Sequence, residues 1–148
     1  MPTGCTRAGA ASRARQKGNE LGLAHTLLLV DDEYGALEVL ALLMKLEGFD
    51  VLTASDGEDA LARLRDKRPD LVITDYWMPR MDGLELCRRM QAHDDWRSIP
   101  IVMLTAIYDP TDLAATPGLT RILRKPGHFP QIVDVVRELL AGGARSDG

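Results

Sequence analysis

This chain of 148 residues has few of the features that mark a special environment. It has two cysteines, Cys5 and Cys87, which share no disulfide or metal-ligand spacing, so neither a disulfide framework nor a thiolate metal site is expected. Cys87, inside a segment of helical period, reads as a small core filler. An excess of basic charge is also missing. The formal net charge is -4 and the pI about 5.3, which removes the electrostatic attraction that supplies most nucleic-acid affinity. Apolar runs such as 39–44 fall far short of the ~20 residues needed to span a bilayer, and the N-terminus carries no apolar signal core. The expectation is a cytoplasmic protein with no nucleic-acid or membrane partner. Internal repeats are absent as well.

The length suits one domain with a single core. Residues 1–25 are rich in Ala, Gly, Ser and Arg and lack any apolar period, so they read as a disordered tail, with Arg7, Arg13, Arg15 and Lys17 in solvent. Residues 142–148, Gly-Gly-Ala-Arg-Ser-Asp-Gly, read as a second tail. Between them, over 26–141, apolar runs of strand length alternate with segments of helical period, the pattern of an α/β domain whose parallel sheet is joined by crossover helices.

Strands are predicted at 26–30, 50–54, 71–75, 101–105 and 120–124. Helical segments are predicted at 34–47, ending at Gly48, at 57–67, stopping before Pro69, and at 83–92, after the Asp82-Gly83 turn. A short one falls at 109–116, bounded by Pro110 and Pro117. The last covers 130–141, with Pro130 first and Gly142-Gly143 at its end. The first helical segment is apolar nearly all round. One reading sets Ala36, Leu40 and Leu43 against the sheet, leaving Leu37, Ala41 and Met44 for solvent or a partner; the other makes the helix a well-packed flank.

In an open parallel sheet the ligand site lies outside the carboxyl ends of the strands. Asp31 and Asp32 follow the first strand, Asp75 closes the third, Thr105 the fourth, and Lys125 follows the fifth. A carboxylate at the end of a buried strand is costly unless its charge is used. Three converging carboxylates either raise a pKa or collect a cation, and an oxygen-rich site with room for water and phosphate suits Mg²⁺. Each residue alone has a plainer reading: Asp31-Asp32 as a helix cap, Thr105 as a hydroxyl bonded to nearby backbone, Lys125 as a surface lysine before a turn. Their common register at the strand ends is what points to one site.

Four motifs in order, Val30-Asp31-Asp32-Glu33, Asp75 with Met78-Pro79 and Met81-Asp82-Gly83, Thr105-Ala106, and Lys125-Pro126, resemble the receiver domains of two-component response regulators over about 26–141. The resemblance implies a flavodoxin-like, doubly wound five-stranded parallel sheet of order 2-1-3-4-5 with helices on both faces. It implies that Asp75 is the phosphoacceptor, taking a phosphoryl group from a phosphohistidine donor with Mg²⁺ as cofactor. The metal is then assigned to Asp32, Asp75 and the Trp77 carbonyl, with Asp31 reaching it through water. Thr105 and Lys125 bind the phosphoryl group and move the face built by the 109–116 segment, the last strand and the last helix. The family's lysine–proline bond, here 125–126, is cis. The implied partners are a histidine kinase or phosphotransfer protein and a downstream protein target, with the chain a monomer or weak homodimer. One helix and a tail follow Lys125, so a single-domain response regulator is expected, a signalling phosphoacceptor and not a turnover enzyme.

Three positions depart from the family pattern. Ile122 stands where the family usually carries Tyr or Phe, so threonine–aromatic coupling is expected to be lost or replaced by aliphatic repacking. Trp77 and Ile107 are apolar near the acyl phosphate and are expected to exclude attacking water, lengthening its life; the plainer reading of Trp77 is an exposed loop aromatic that points away, with no role beyond packing or partner contact. The third departure is the apolar first helix, which in the family docks the phosphodonor. Two other readings stay open: a phosphohydrolase, which usually has a second Asp two residues after the nucleophile where this chain has Trp77, and a receiver-like interaction module that works without phosphorylation.

Overall fold

The computed structural model describes residues 24–106, 118–125 and 129–146, with side chains to residue 141. β1 (Thr26–Val30), β3 (Leu71–Asp75) and β4 (Ile101–Thr105) are buried at every residue. They lie inside the sheet with both faces covered, which is why they read as unbroken apolar runs and not as alternation. β2 (Asp50–Ala54) and β5 (Leu119–Arg124) take the edges, giving five parallel strands in the order β2-β1-β3-β4-β5. This is the doubly wound order that the sequence resemblance implies.

Successive strand residues point to opposite faces, so the sheet serves two cores. Leu28, Val30, Val72, Ile101 and Met103 share one with α2 (Gly57–Asp66) and α3 (Gly83–Gln91). Leu27, Leu29, Leu71, Ile73, Val102 and Leu104 share the other with α1 (Tyr34–Leu46) and α4 (Phe129–Ser146). Cys87 is fully buried in the first core, as its reading as a filler expects.

The helices start where side chains can satisfy their first amides. Asp56 Oδ1 accepts from Asp59 N at 2.7 Å and Asp82 Oδ1 from Glu85 N at 2.9 Å, while Glu33 Oε1 accepts from Ala36 N at 2.6 Å. α1 stops at Gly48, whose φ of 101° suits glycine alone. There Phe49 N donates to Met44 O at 3.2 Å and Gly48 N to Lys45 O at 3.0 Å, the paired bonds of a Schellman motif, with Met44 and Phe49 buried together.

Two expectations need correction. The buried side of α1 is Leu37, Ala41 and Met44, whereas Ala36 is exposed and Leu40 and Leu43 are only half-buried. A helix apolar all round does not specify its own rotation. The Schellman contact of Met44 with Phe49 sets it, and Arg137 of α4 secures that end, donating to Glu47 Oε1 at 2.7 Å with its guanidinium 5.2 Å from the centre of the Phe49 ring. The solvent side carries Val39, Leu42 and Leu46 instead.

The second correction concerns α4, which runs through Gly142-Gly143 to Ser146, inside the stretch 142–148 read as a tail. Glycine weakens a helix by about 1 kcal/mol relative to alanine, but it keeps its N–H and clashes with nothing, so it does not enforce a stop as proline does. β5 begins at Leu119, one residue before its expected start, directly after Gly118 at φ 87°. The 109–116 segment and residues 1–23 lie outside the described residues.

In urea denaturation, Met44→Ala is expected to cost about 2–5 kcal/mol. Leu42→Ser, on the opposite side of α1, should stay within about 0.5 kcal/mol of wild type. The reverse ranking would mean that α1 is rotated the other way.

Candidate functional site

The parallel arrangement brings the ends of β1, β3, β4 and β5 to one edge, where Asp31, Asp75, Thr105 and Lys125 meet. The ladder continues one step past the end of β5, with Lys125 N donating to Thr105 O at 2.7 Å, and this brings the lysine to the acidic residues. Lys125 Nζ donates to Asp75 Oδ1 at 2.8 Å and lies 3.7 Å from Asp31 Oδ2. Oxygens of Asp31, Asp32 and Asp75 all fall within 4.8 Å of one another. The side chains of Asp31 and Asp75 are 13% and 10% exposed, whereas Asp32 faces solvent.

Glu33, not Asp31 or Asp32, provides the side-chain cap of α1. Asp31 Oδ1 accepts from Glu33 N at 2.9 Å, leaving Oδ2 turned to Lys125. The capping explanation for the acidic pair therefore does not hold, and their charge is directed at the site.

Burial pushes the Asp75 carboxyl above its ordinary pKa, and the charges of Asp31 and Asp32 push the same way; the hydrogen bond and charge of Lys125 oppose this without cancelling it. For Lys125, burial alone would lower the pKa, but its bond to Asp75 and the three carboxylate charges outweigh burial and raise it. The ammonium stays charged, while the cluster remains short of positive charge. Three carboxylates are an all-oxygen donor set, which fits a hard divalent cation such as Mg²⁺. Beside them a cavity of about 380 Å³ is lined by Asp75, Tyr76, Trp77, Thr105, Ala106 and Lys125. It has room for a phosphoryl group together with water.

The loop after Asp75 is closed at its base, with Tyr76 N donating to Leu104 O at 2.9 Å and Gly83 N to Tyr76 O at 2.8 Å. A Cβ on residue 83 would lie 2.6 Å from Asp75 O, so this closure requires glycine. Met78 and Met81 are buried and fasten the loop to the first core. Trp77 between them is 72% exposed, on the cavity wall but largely in water. Ile122 is half-buried against the first core. Ile107, Pro126 and the peptide bond between Lys125 and Pro126 fall outside the described residues.

Two further loop residues stand out that sequence reading passed over. Arg80 has φ 68°, and Met81 N donates to Pro79 O at 2.7 Å across it, which makes a γ-turn of positive φ. Such a backbone costs about 1–3 kcal/mol and persists only when its surroundings impose it. Arg80 Nη2 contacts Asp56 Oδ2 at 2.6 Å, at the start of α2. No short motif links residues so far apart in sequence, so only the fold reveals this pair.

The family model of the response regulator receiver domain matches residues 27–137. The chain belongs to the receiver family. Among curated relatives, the DNA-binding response regulator MtrA of Mycobacterium tuberculosis is 38% identical over 116 residues, covering 77% of this chain and 50% of that protein. The chain thus spans about half the length of such relatives. Among solved structures, the signal receiver domain of a signal transduction histidine kinase from Syntrophus aciditrophicus is 33% identical with a TM-score of 0.76, covering 82% of this chain and 94% of that one. A putative response regulator from Chloroflexus aurantiacus is 37% identical with a TM-score of 0.73, covering 79% and 98%. Among the described residues of this receiver, no helix is long and apolar enough to cross a membrane.

The raised pKa of Asp75 has a consequence for stability. The folded receiver holds that proton more tightly than the unfolded chain does, so the benefit of the neutral form is full below about 3.9, the unfolded carboxylate pKa, and is lost as pH rises through the raised folded value. Asp75→Asn, always neutral, is expected to melt above wild type at neutral pH without divalent cation, and to lose that advantage in acid. Thermal melts across pH measure this; a constant difference at every pH would mean the carboxylate bears no burial penalty.

Proposed function

We propose that this receiver accepts a phosphoryl group on Asp75 from a phosphohistidine donor and thereby switches a protein-interaction surface in two-component signalling. The observation that carries this reading is the Lys125–Asp75 contact inside a cluster where three carboxylates face one ammonium, open to a cavity. An Asp75 oxygen forms the bond to phosphorus as the phosphorus–nitrogen bond breaks, and the imidazole leaves with the electron pair. Mg²⁺ held by Asp31, Asp32, Asp75 and the Trp77 carbonyl would supply charge neutralisation for the phosphoryl oxygens. Lys125, whose Nζ lies 2.8 Å from Asp75 Oδ1, supplies a second positive charge.

The product is an acyl phosphate, with more charge and more acceptor oxygens than the carboxylate it replaces. The Thr105 hydroxyl and Lys125 ammonium bind those oxygens, and drawing Thr105 inward moves the chain that follows β4. Ile122 already packs on the core and has no ring or hydroxyl to exchange, so the reshaping near β5 is aliphatic and smaller than in a receiver with an aromatic residue there. The exposed stripe of Val39, Leu42 and Leu46 on α1, close in sequence to Asp31 and Asp32, offers the docking surface for a histidine kinase or phosphotransfer protein.

Trp77 tunes the lifetime, together with Ile107. An indole at the cavity rim offers attacking water no polar group to orient it, so the acyl phosphate is long-lived and Asp75 serves as a signalling acceptor with slow autodephosphorylation.

Incubation with Mg²⁺ and acetyl phosphate, followed by intact mass, is expected to show one stable phosphoryl adduct that disappears in Asp75→Ala. Phosphate release without an adduct would make the protein a hydrolase, and an inert protein would make it an interaction module. In pulse-chase measurements, Trp77→Asn should lose the phosphoryl group about tenfold faster, a barrier change of about 1.4 kcal/mol. An unchanged rate would remove the shielding role.

A further inference from the structure

We infer that Arg80 is a positioning residue for the loop after Asp75: its ion pair with Asp56 holds the strained γ-turn closed and so sets the path of the chain through Trp77, two residues beyond Asp75, whose carbonyl the proposed function gives to the cation. This rests on the phosphoacceptor reading above and names a control over that site from α2.

Arg80 is the one non-glycine residue with positive φ among the described residues. Its γ-turn sits midway along a loop whose base is closed by the Gly83–Tyr76 hydrogen bond. The turn itself is fastened to α2 at two neighbouring points. Asp56 divides its carboxylate, with Oδ1 capping α2 through Asp59 N and Oδ2 taking the Arg80 guanidinium at 2.6 Å. Next to it, Gly57 packs so closely on Met81 that a Cβ there would fall 2.5 Å from the Met81 sulfur. The loop is thus pinned at its base by β4 and at its turn by α2. Trp77 lies between these pins with its side chain mostly in water, so the orientation of its peptide follows from theirs.

A plainer account makes Arg80 an ordinary surface arginine. Its side chain is 68% exposed, and exposed pairs contribute little to global stability. The two accounts therefore separate on cation binding and not on melting temperature. In a turn that its own backbone disfavours, even a weak pair shifts a local balance. Glycine adopts positive φ without strain and needs no such support.

Mg²⁺ titrations of the whole chain, read by tryptophan fluorescence of Trp77 against the constant background of buried Trp96, and by the Mg²⁺ dependence of acyl phosphate formation from acetyl phosphate, test the inference. Arg80→Ala and Asp56→Asn, the latter keeping a good helix cap, should each raise the Mg²⁺ half-saturation about fivefold, the upper range for an exposed pair. The melting temperature and the rate at saturating Mg²⁺ should stay at wild-type values. Arg80→Gly should remain within about twofold of wild type, because the relaxed turn closes without the pair. Wild-type half-saturation in Arg80→Ala, or an Arg80→Gly loss as large as that of Arg80→Ala, would overturn the role given to Arg80. A wild-type protein that forms no Mg²⁺-dependent adduct on Asp75 would instead overturn the phosphoacceptor reading, so the two failures are distinct.

Discussion

The 2.8 Å contact between Lys125 Nζ and Asp75 Oδ1 is the interaction around which the rest of the site is arranged. Asp75 ends a strand buried on both faces, where a carboxylate without a partner would be neutral. Lys125 makes the charged form tolerable but does not make it comfortable, because Asp31 and Asp32 add two more negative groups than one ammonium balances. An electrostatic deficit of this kind is a poor way to stabilise a fold and a good way to bind a cation or a phosphoryl group's counter-charge. The parallel sheet creates it by delivering residues from β1, β3 and β5 to the same edge.

The two cores have different relations to that edge. The core under α1 and α4 holds the strands in place and clamps the far end of α1 through Met44, Phe49 and Arg137. The other core reaches the site itself, since Met78 and Met81 of the loop after Asp75 belong to it. Close approaches at Gly57 and Gly83 join this loop to α2 and to the backbone of Asp75. Trp77 is the contrast, a large apolar side chain left in solvent by a loop whose methionines on either side are buried. The loop is thus firmly held beside the carboxylate cluster, with one exposed indole at the rim of the cavity.

How much was readable depended on how much of the answer each residue carried alone. β1, β3 and β4 fall where their apolar runs place them, because burial on both faces demands continuous hydrophobicity. The Asp-Gly turn before α3 and Gly48 after α1 are legible because capping and positive φ restrict residue type at single positions. The rotation of α1 was not, since nearly every face of that helix is apolar and only Phe49 and the sheet distinguish them. The end of α4 was read too early because glycine weakens a helix without forbidding it. For Asp31 and Asp32, sequence left a helix cap and a ligand site as competing uses, and Glu33 taking the cap separated them.

By itself, then, the sequence determined the alternation of strands and helices and the identity of the residues at the strand ends, because periodicity and strand termini are local properties. The tertiary structure alone decided distances and partners: that Lys125 touches Asp75 more closely than Asp31, that α1 turns Val39, Leu42 and Leu46 outward, and that Arg80 reaches Asp56. The physical reason is that electrostatics and packing act through space, and residues 24 or 50 positions apart along the chain become neighbours only when the sheet and its two cores have been assembled.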